Sequence, residues 1–158
     1  FNHVITGDET WVFEYDPEMT RQSSEWHTPA SPRPKKARIS KSKVKSLLIA
    51  FFDVKGIVHK EFVPPGQTVN GQYYREVLRR LTARVHRVRP EIADSWILHH
   101  DNALSHTCLL VTEQLAKQSR ATLPQPPYSP DMAPPDFFLF PKIKRHLKGT
   151  RFGTLENV

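Results

Sequence analysis

The chain is expected to fold as one α/β domain around a mixed sheet. Short runs rich in β-branched and aromatic residues alternate with segments whose apolar residues recur every three to four positions. Its 158 residues suit a single compact unit, long enough to remove roughly two-thirds of the unfolded surface from water. The hydrophobic share of 38% and charged share of 25% are globular values. No run approaches the ~20 apolar residues of a spanning helix, which argues against a membrane partner. Phe1-Asn2-His3-Val4-Ile5 does not read as a signal peptide. A lone cysteine, Cys108, can form neither an internal disulfide nor a cysteine zinc cluster.

Val4 to Tyr15 reads as the first strand, with a bend near Gly7. From Asp16 to Ser42 the chain carries Pro17, Pro29, Pro32 and Pro34, which deny the donors that a helix or central strand needs, so a long loop is expected. Val44 to Val63 reads as a hairpin turning at Asp53-Val54-Lys55-Gly56, and Leu47 to Phe52 is apolar enough for a strand covered on both faces. Thr68 or Asn70 can cap a helix running to about Val88, whose apolar stripe is Tyr74, Val77, Leu78, Leu81, Val85 and Val88. Arg75, Arg79, Arg80, Arg84 and Arg87 fit its solvated face better than a DNA contact. Ser95 to Asp101 is the next strand, Ser105 to Gln118 a helix, and Ala121 to Leu123 a short strand. After a proline-dense stretch from Pro124 to Pro135, a last helix runs from Phe137 to about Lys148. Pro141 disturbs it and Gly149 suits its end.

The formal charge of +7 is concentrated. Arg33, Lys35, Lys36, Arg38, Lys41, Lys43 and Lys45 lie in one window without an acid, and removing these seven from the 23 basic residues leaves 16 against 16 acidic ones. Such a run marks a polyanion-binding segment, nucleic acid being the usual polyanion, although a solvated loop or a nuclear-import signal has the same composition.

Three aspartates stand out by position. Asp8 lies in a strand, Asp101 ends one, and Asp136 starts a helix, so the three can converge on one sheet edge. Oxygen-only ligands suit Mg²⁺ or Mn²⁺. The plainer alternative is that each serves a turn, with Asp136 capping its helix. His100 and His106 are six apart, not the three or four that share a helix face, which disfavours zinc. One imidazole is instead expected to support Asp101, or to approach a phosphate, with His99 on the opposite sheet face. Cys108 has no evident activating partner and reads as structural.

The words Thr6-Gly7-Asp8-Glu9-Thr10-Trp11, His100-Asp101-Asn102-Ala103 and Tyr128-Ser129-Pro130-Asp131-Met132-Ala133-Pro134-Pro135-Asp136 carry a family likeness in both content and spacing. Asp8 precedes Asp101 by 93 positions, and 34 residues separate Asp101 from Asp136. With Trp26-His27-Thr28-Pro29 and the hairpin through Gly66, the chain resembles the mariner branch of the Tc1/mariner transposases nearly from end to end. That resemblance implies an RNase H-like (retroviral-integrase-like) fold and a triad of Asp8, Asp101 and Asp136 acting as catalytic metal ligands, with Asp131 structural. It implies two Mg²⁺ or Mn²⁺ ions per site, about 3.5–4 Å apart, stabilising attacking and leaving oxygens. The activity implied is hydrolysis at transposon ends and transfer of the freed 3′-OH into a TA target, in a nuclear protein that works as a homodimer on DNA.

The resemblance further implies that the loop at about 16–43 is a clamp whose basic residues contact phosphates, with Trp26 as an anchor for the partner or for its own domain. Two positions depart from the family's habit. Pro135 stands where Ser or Thr usually precedes the third aspartate, and Phe137 where Tyr follows it. Residues 1–158 would then be a catalytic core without the helix-turn-helix units and the extreme C-terminus of a full transposase. A domesticated, catalytically weak domain that binds DNA or a partner is the alternative.

Overall fold

Val4–Phe13 forms β1, Lys45–Asp53 forms β2 and Gly56–Val63 forms β3, the last two joined at Gly56, whose φ of +122° suits only glycine. Ile97–His99 (β4) and Thr122–Leu123 (β5) complete a five-stranded sheet of order β3-β2-β1-β4-β5. Pairing is antiparallel on the hairpin side of β1 and parallel on the side of β4 and β5, so the sheet is mixed as expected. The computed structural model describes residues 2–18, 24, 26, 28, 31 and 40–150, so Arg33, Lys35, Lys36 and Arg38 lie outside the described residues. The loop's two ends are joined where Glu14 N–H donates to Val44 O at 3.1 Å and Ser42 N–H to Tyr15 O at 2.9 Å.

Helices cover both faces. Gly71–Val88 (α1) is capped by Asn70, whose side chain accepts from Tyr73 N–H at 2.9 Å. Its buried stripe of Tyr74, Val77, Leu78, Leu81 and Val85 packs on Ile5, Ile49, Phe51, Val58 and Leu98 together with the helix Leu109–Lys117 (α3). Each such side chain contributes roughly 1.5–3 kcal/mol by burial, against about 0–1 kcal/mol for an exposed ion pair. The apolar stripe therefore fixes α1. Its arginines are largely engaged within the domain: Arg75 and Arg79 with Glu76, Arg80 with Glu61, and Arg84 with Val58 O. Across the sheet, Val12, Leu48 and Ala50 pack under Leu139 and the terminal helix Phe140–Leu147 (α4).

Three local expectations are corrected. β1 runs straight through Gly7, which lies opposite Phe51; a Cβ there would meet the Phe51 ring at 2.1 Å, so the glycine provides close approach rather than a bend. The helix expected over 105–118 is two pieces, Leu104–Thr107 (α2) and α3, separated by extended backbone at Cys108. That break seats the Cys108 sulfur over Gly71, where a Cβ would lie 2.3 Å from it. The last helical stretch starts at Pro135, not Phe137, as a π-helical turn over Pro135–Leu139. Pro141 has no N–H for the Phe137 carbonyl, and the turn before it widens so that Phe140 N–H reaches Pro135 O.

Candidate active site

Alternation along β1 sends Asp8 and Glu9 to opposite faces of the sheet. Asp8 is in register with Ala50 and shares its face with Val12, on the α4 side. Glu9 points with Ile5 toward α1 and reaches His106. Asp101 follows β4, which runs parallel to β1, and the turn over Pro135–Leu139 brings Asp136 to the same end of the sheet. Asp101 and Asp136 line one cleft of about 440 Å³, walled by Asn102, Gln125, Pro127 and Tyr128.

Asp8 is close enough to both for their charge to act on it. Burial raises its carboxyl most, the Glu9 N–H opposes this, and the negative charges of Glu9, Asp101 and Asp136 add to the rise, to about 7. Burial and the charge of Asp101 also raise Asp136, while Lys144 works against them. Among the described residues Asp136 makes no capping hydrogen bond, so the capping alternative does not account for it.

Asp101 is the most firmly held of the three. Its Oδ1 accepts from His106 Nδ1–H at 2.6 Å and from Ala103 N–H at 3.0 Å. His106, wholly buried, donates its other proton from Nε2 to Glu9 Oε1 at 3.0 Å. Burial alone would lower this imidazole, but the bonds to Asp101 and Glu9 outweigh it and lift it to about 9. His106 stacks on Tyr74 with centroids 3.9 Å apart, and Tyr74 Oη shares a hydrogen bond with His100 Nδ1 at 3.0 Å. Burial and the neighbouring charge of His106 push His100 down to about 4, which leaves it neutral at ordinary pH. The imidazole expected to support Asp101 is thus His106. His99 lies on the other face, paired with Thr6 Oγ1 at 2.9 Å and donating from Nε2 to Gln125 Oε1 at 2.7 Å.

Gln125 ties the proline-rich wall to the site. Its carbonyl accepts from Asn102 Nδ2 at 2.5 Å, and its Nε2 donates to Ser129 O at 2.8 Å. The roles of Glu9, Tyr74 and Gln125 were not read from the sequence. Glu9 adjoins the first aspartate and was available as a signal; Tyr74 looked only like one more residue of an apolar stripe. Of the expected basic contacts, Lys41 pairs with Asp16 at 3.5 Å and lies over the Phe13 ring, Lys45 lies over Trp11, and Lys43 is exposed. Trp26 is fully exposed and does not pack on the described residues of this domain.

The donor set fits a hard divalent cation. Asp8 and Asp101 each hold one carboxylate oxygen by hydrogen bonds, and neither Asp8 Oδ2, Asp101 Oδ2 nor either oxygen of Asp136 has a partner among the described residues. Among those residues no group of three His, Cys, Asp or Glu is already gathered at metal-holding distance, so the three carboxylates share a region without closing on a point.

A family profile described as Transposase (partial DDE domain) matches residues 16–94. Mariner Mos1 transposase of Drosophila mauritiana is 33% identical over 160 aligned positions, 99% of this chain and 46% of that protein. The histone-lysine N-methyltransferase SETMAR of Homo sapiens is 28% identical over 154 positions, 96% of this chain and 22% of that protein. The crystal structure of the Mos1 mariner paired-end complex with Mn superposes with a TM-score of 0.86 at 34% identity, covering 98% of this chain and 45% of that one. The crystal structure of the Mos1 catalytic domain gives 0.76 at 31%, covering 98% and 65%. The chain spans less than half the length of the two named relatives. These superpositions make the mixed sheet with helices on both faces an RNase H-like fold. Motif words, profile and near end-to-end identity agree, and the chain belongs to the mariner branch of the Tc1/mariner transposases, within their DDE catalytic domain.

Proposed function

We propose that this chain is the catalytic core of a DNA transposase that hydrolyses phosphodiester bonds at transposon ends and transfers the 3′-OH into TA target DNA. The observation that carries the reading is the meeting of Asp101 and Asp136 in one cleft, with Asp8 within range of their charge. Asp8, Asp101 and Asp136 would hold Mg²⁺ or Mn²⁺ there. When bound, such ions activate the attacking oxygen and neutralise charge on the leaving one. The chain's own part is to keep the acceptors in place. His106 and Ala103 N–H fix Asp101, Glu9 N–H fixes Asp8, and the wide turn over Pro135–Leu139 presents Asp136. Pro135, in the first turn of that stretch, needs no N–H partner, so the departure at this position leaves the carboxylate presented.

The Mos1 complexes with transposon-end DNA, and with Mn and Mg, support DNA and a divalent cation as partners. Two ions per site, a homodimer on paired ends, a clamp at about 16–43 and action in the nucleus belong to the same proposal. Mg²⁺- or Mn²⁺-dependent nicking of pre-cleaved transposon-end DNA tests it. Asp101→Ala is expected to lose at least a thousandfold in rate, and metal-dependent cleavage that is equal in both proteins would reject the reading.

A second reading has one observation in its favour: the match to 22% of a protein named for a methyltransferase activity. There a domain of this kind is part of a larger protein with another named chemistry. A non-catalytic DNA- or partner-binding domain would bind transposon ends yet show no Mn²⁺ affinity that depends on Asp8, Asp101 and Asp136.

A further inference from the structure

The turn that presents Asp136 has two sides. One side meets the carboxylate cleft; the other exposes Phe137 and Phe138 to a groove of about 710 Å³ floored by α4. Lys41, Lys142, Lys144, Arg145 and Lys148 line that groove, with Asp16 the one acid among the described residues that line it, already paired with Lys41. Lys142, Lys144 and Lys148 have no acidic partner among the described residues, and Lys144 lies close enough to Asp136 to act on its carboxyl. Phe138 is anchored by stacking on Phe52 at 6.3 Å and lies beneath Lys142. Phe137 is 57% exposed, a large ring held in water among cations.

Exposed aromatic rings interleaved with unpaired lysines are the chemistry of a single-strand nucleic-acid track. Cations follow the phosphates, and rings stack on bases without regard to sequence. A merely solvated helix face would explain the lysines but not Phe137. We propose that the groove over α4 binds a single-stranded DNA flank, with an unpaired base stacked on Phe137 next to Asp136. Successive residues of a helical turn point roughly 100° apart, so Asp136 lines the cleft while Phe137, next to it, lines the groove. The inference rests on the DNA-directed reading above for its ligand, but not on cleavage.

The test measures fluorescence anisotropy of a labelled duplex with a single-stranded overhang, and of the blunt duplex, binding this chain in a metal chelator. Loss of the carboxylate chemistry would leave that measurement untouched. Lys144→Glu is expected to weaken overhang binding at least tenfold and to flatten its salt dependence by about one phosphate contact, whereas Lys117→Glu, across the sheet on α3, changes it less than twofold. Phe137→Ala should cost on the order of tenfold for the overhang and almost nothing for the blunt duplex. Phe137→Trp should restore affinity and add a quenching of indole fluorescence on binding beyond any shown by the parent, which keeps Trp11, Trp26 and Trp96. Equal losses from Lys117→Glu and Lys144→Glu would overturn the proposal. So would full affinity in Phe137→Ala, or a folded Phe137→Trp protein whose quenching on binding does not exceed that of the parent.

Discussion

Asp8 is held at a cost to the fold, yet it is one of the residues proposed to bind the metal. Asp8 is raised from 3.8 to about 7 by burial first and then by the charges of its acidic neighbours, so ionising it works against folding. The folded state binds this proton more tightly than the unfolded state does. The contribution is therefore fully favourable below pH 3.8 and is lost as pH rises toward 7. Asp8→Asn removes the penalty while keeping the shape, and without metal it should raise Tm at pH 7.5 by roughly 2–4 °C. The same variant should bind no Mn²⁺ at this site; a thermal melt with and without the ion reads both effects. His106 has the opposite balance, with each nitrogen bonded to a carboxylate and no exposure. Removing it leaves two acids facing each other, and His106→Ala should lose about 3 kcal/mol in urea unfolding. His106→Asn can keep the Nδ1-side bond to Asp101, whereas His106→Gln can keep only the one to Glu9. If His106 acts by positioning Asp101, Mn²⁺ affinity should fall roughly 10–100-fold in the Gln variant and less in the Asn variant. Equal affinity in both would leave His106 a purely structural residue.

Between elements, β3 and α1 are joined by a polar contact that reports on pH. Glu61 accepts from Arg80 at 2.7 and 2.9 Å and from His59 Nε2 at 2.9 Å. Burial would raise its carboxyl, but the bonds from His59 and Arg80 outweigh it and hold it at about 2. With the folded value below the ordinary 4.5, the stabilisation is present above pH 4.5 and is lost as pH falls toward 2. Glu61→Gln should unfold over a shallower acid slope between pH 5 and 2, and be less stable than the parent at neutral pH by an amount within about 1 kcal/mol, since Arg80 is half exposed. Circular dichroism across pH at fixed ionic strength measures this. An unchanged acid slope would place the carboxylates that control acid unfolding elsewhere.

At the scale of the whole molecule, strands and helices were legible because their patterns are local. Asn70 capped α1 as its residue type allows, and the two-sided burial of β2 followed from its unbroken apolar run. What could not be read depended on partners far along the chain. Gly7 looked like a bend because Phe51, which fills its space, is 44 residues away. Cys108 interrupts a helix because of Gly71, and Glu9 meets Asp101 only through a histidine 97 positions on. A net charge tally also says nothing of where charges cluster in space. The tally that leaves everything outside residues 33–45 neutral is arithmetically right, yet Lys142, Lys144, Arg145 and Lys148 line one groove together. The three aspartates were found by spacing and a family likeness, and folding brings them from β1, the end of β4 and the turn before α4. Because each hangs on a different element, a cation binding all three must also hold those elements together. Mn²⁺ at a hundred times its dissociation constant should then add about 2.7 kcal/mol to global stability. That is a Tm rise of roughly 5–10 °C for a domain of this size, and the rise should disappear in Asp8→Asn, Asp101→Ala and Asp136→Ala alike. If only Asp8→Asn and Asp101→Ala abolished it, Asp136 would stand outside the cation site. The wide turn would then serve the groove over α4 rather than the cleft.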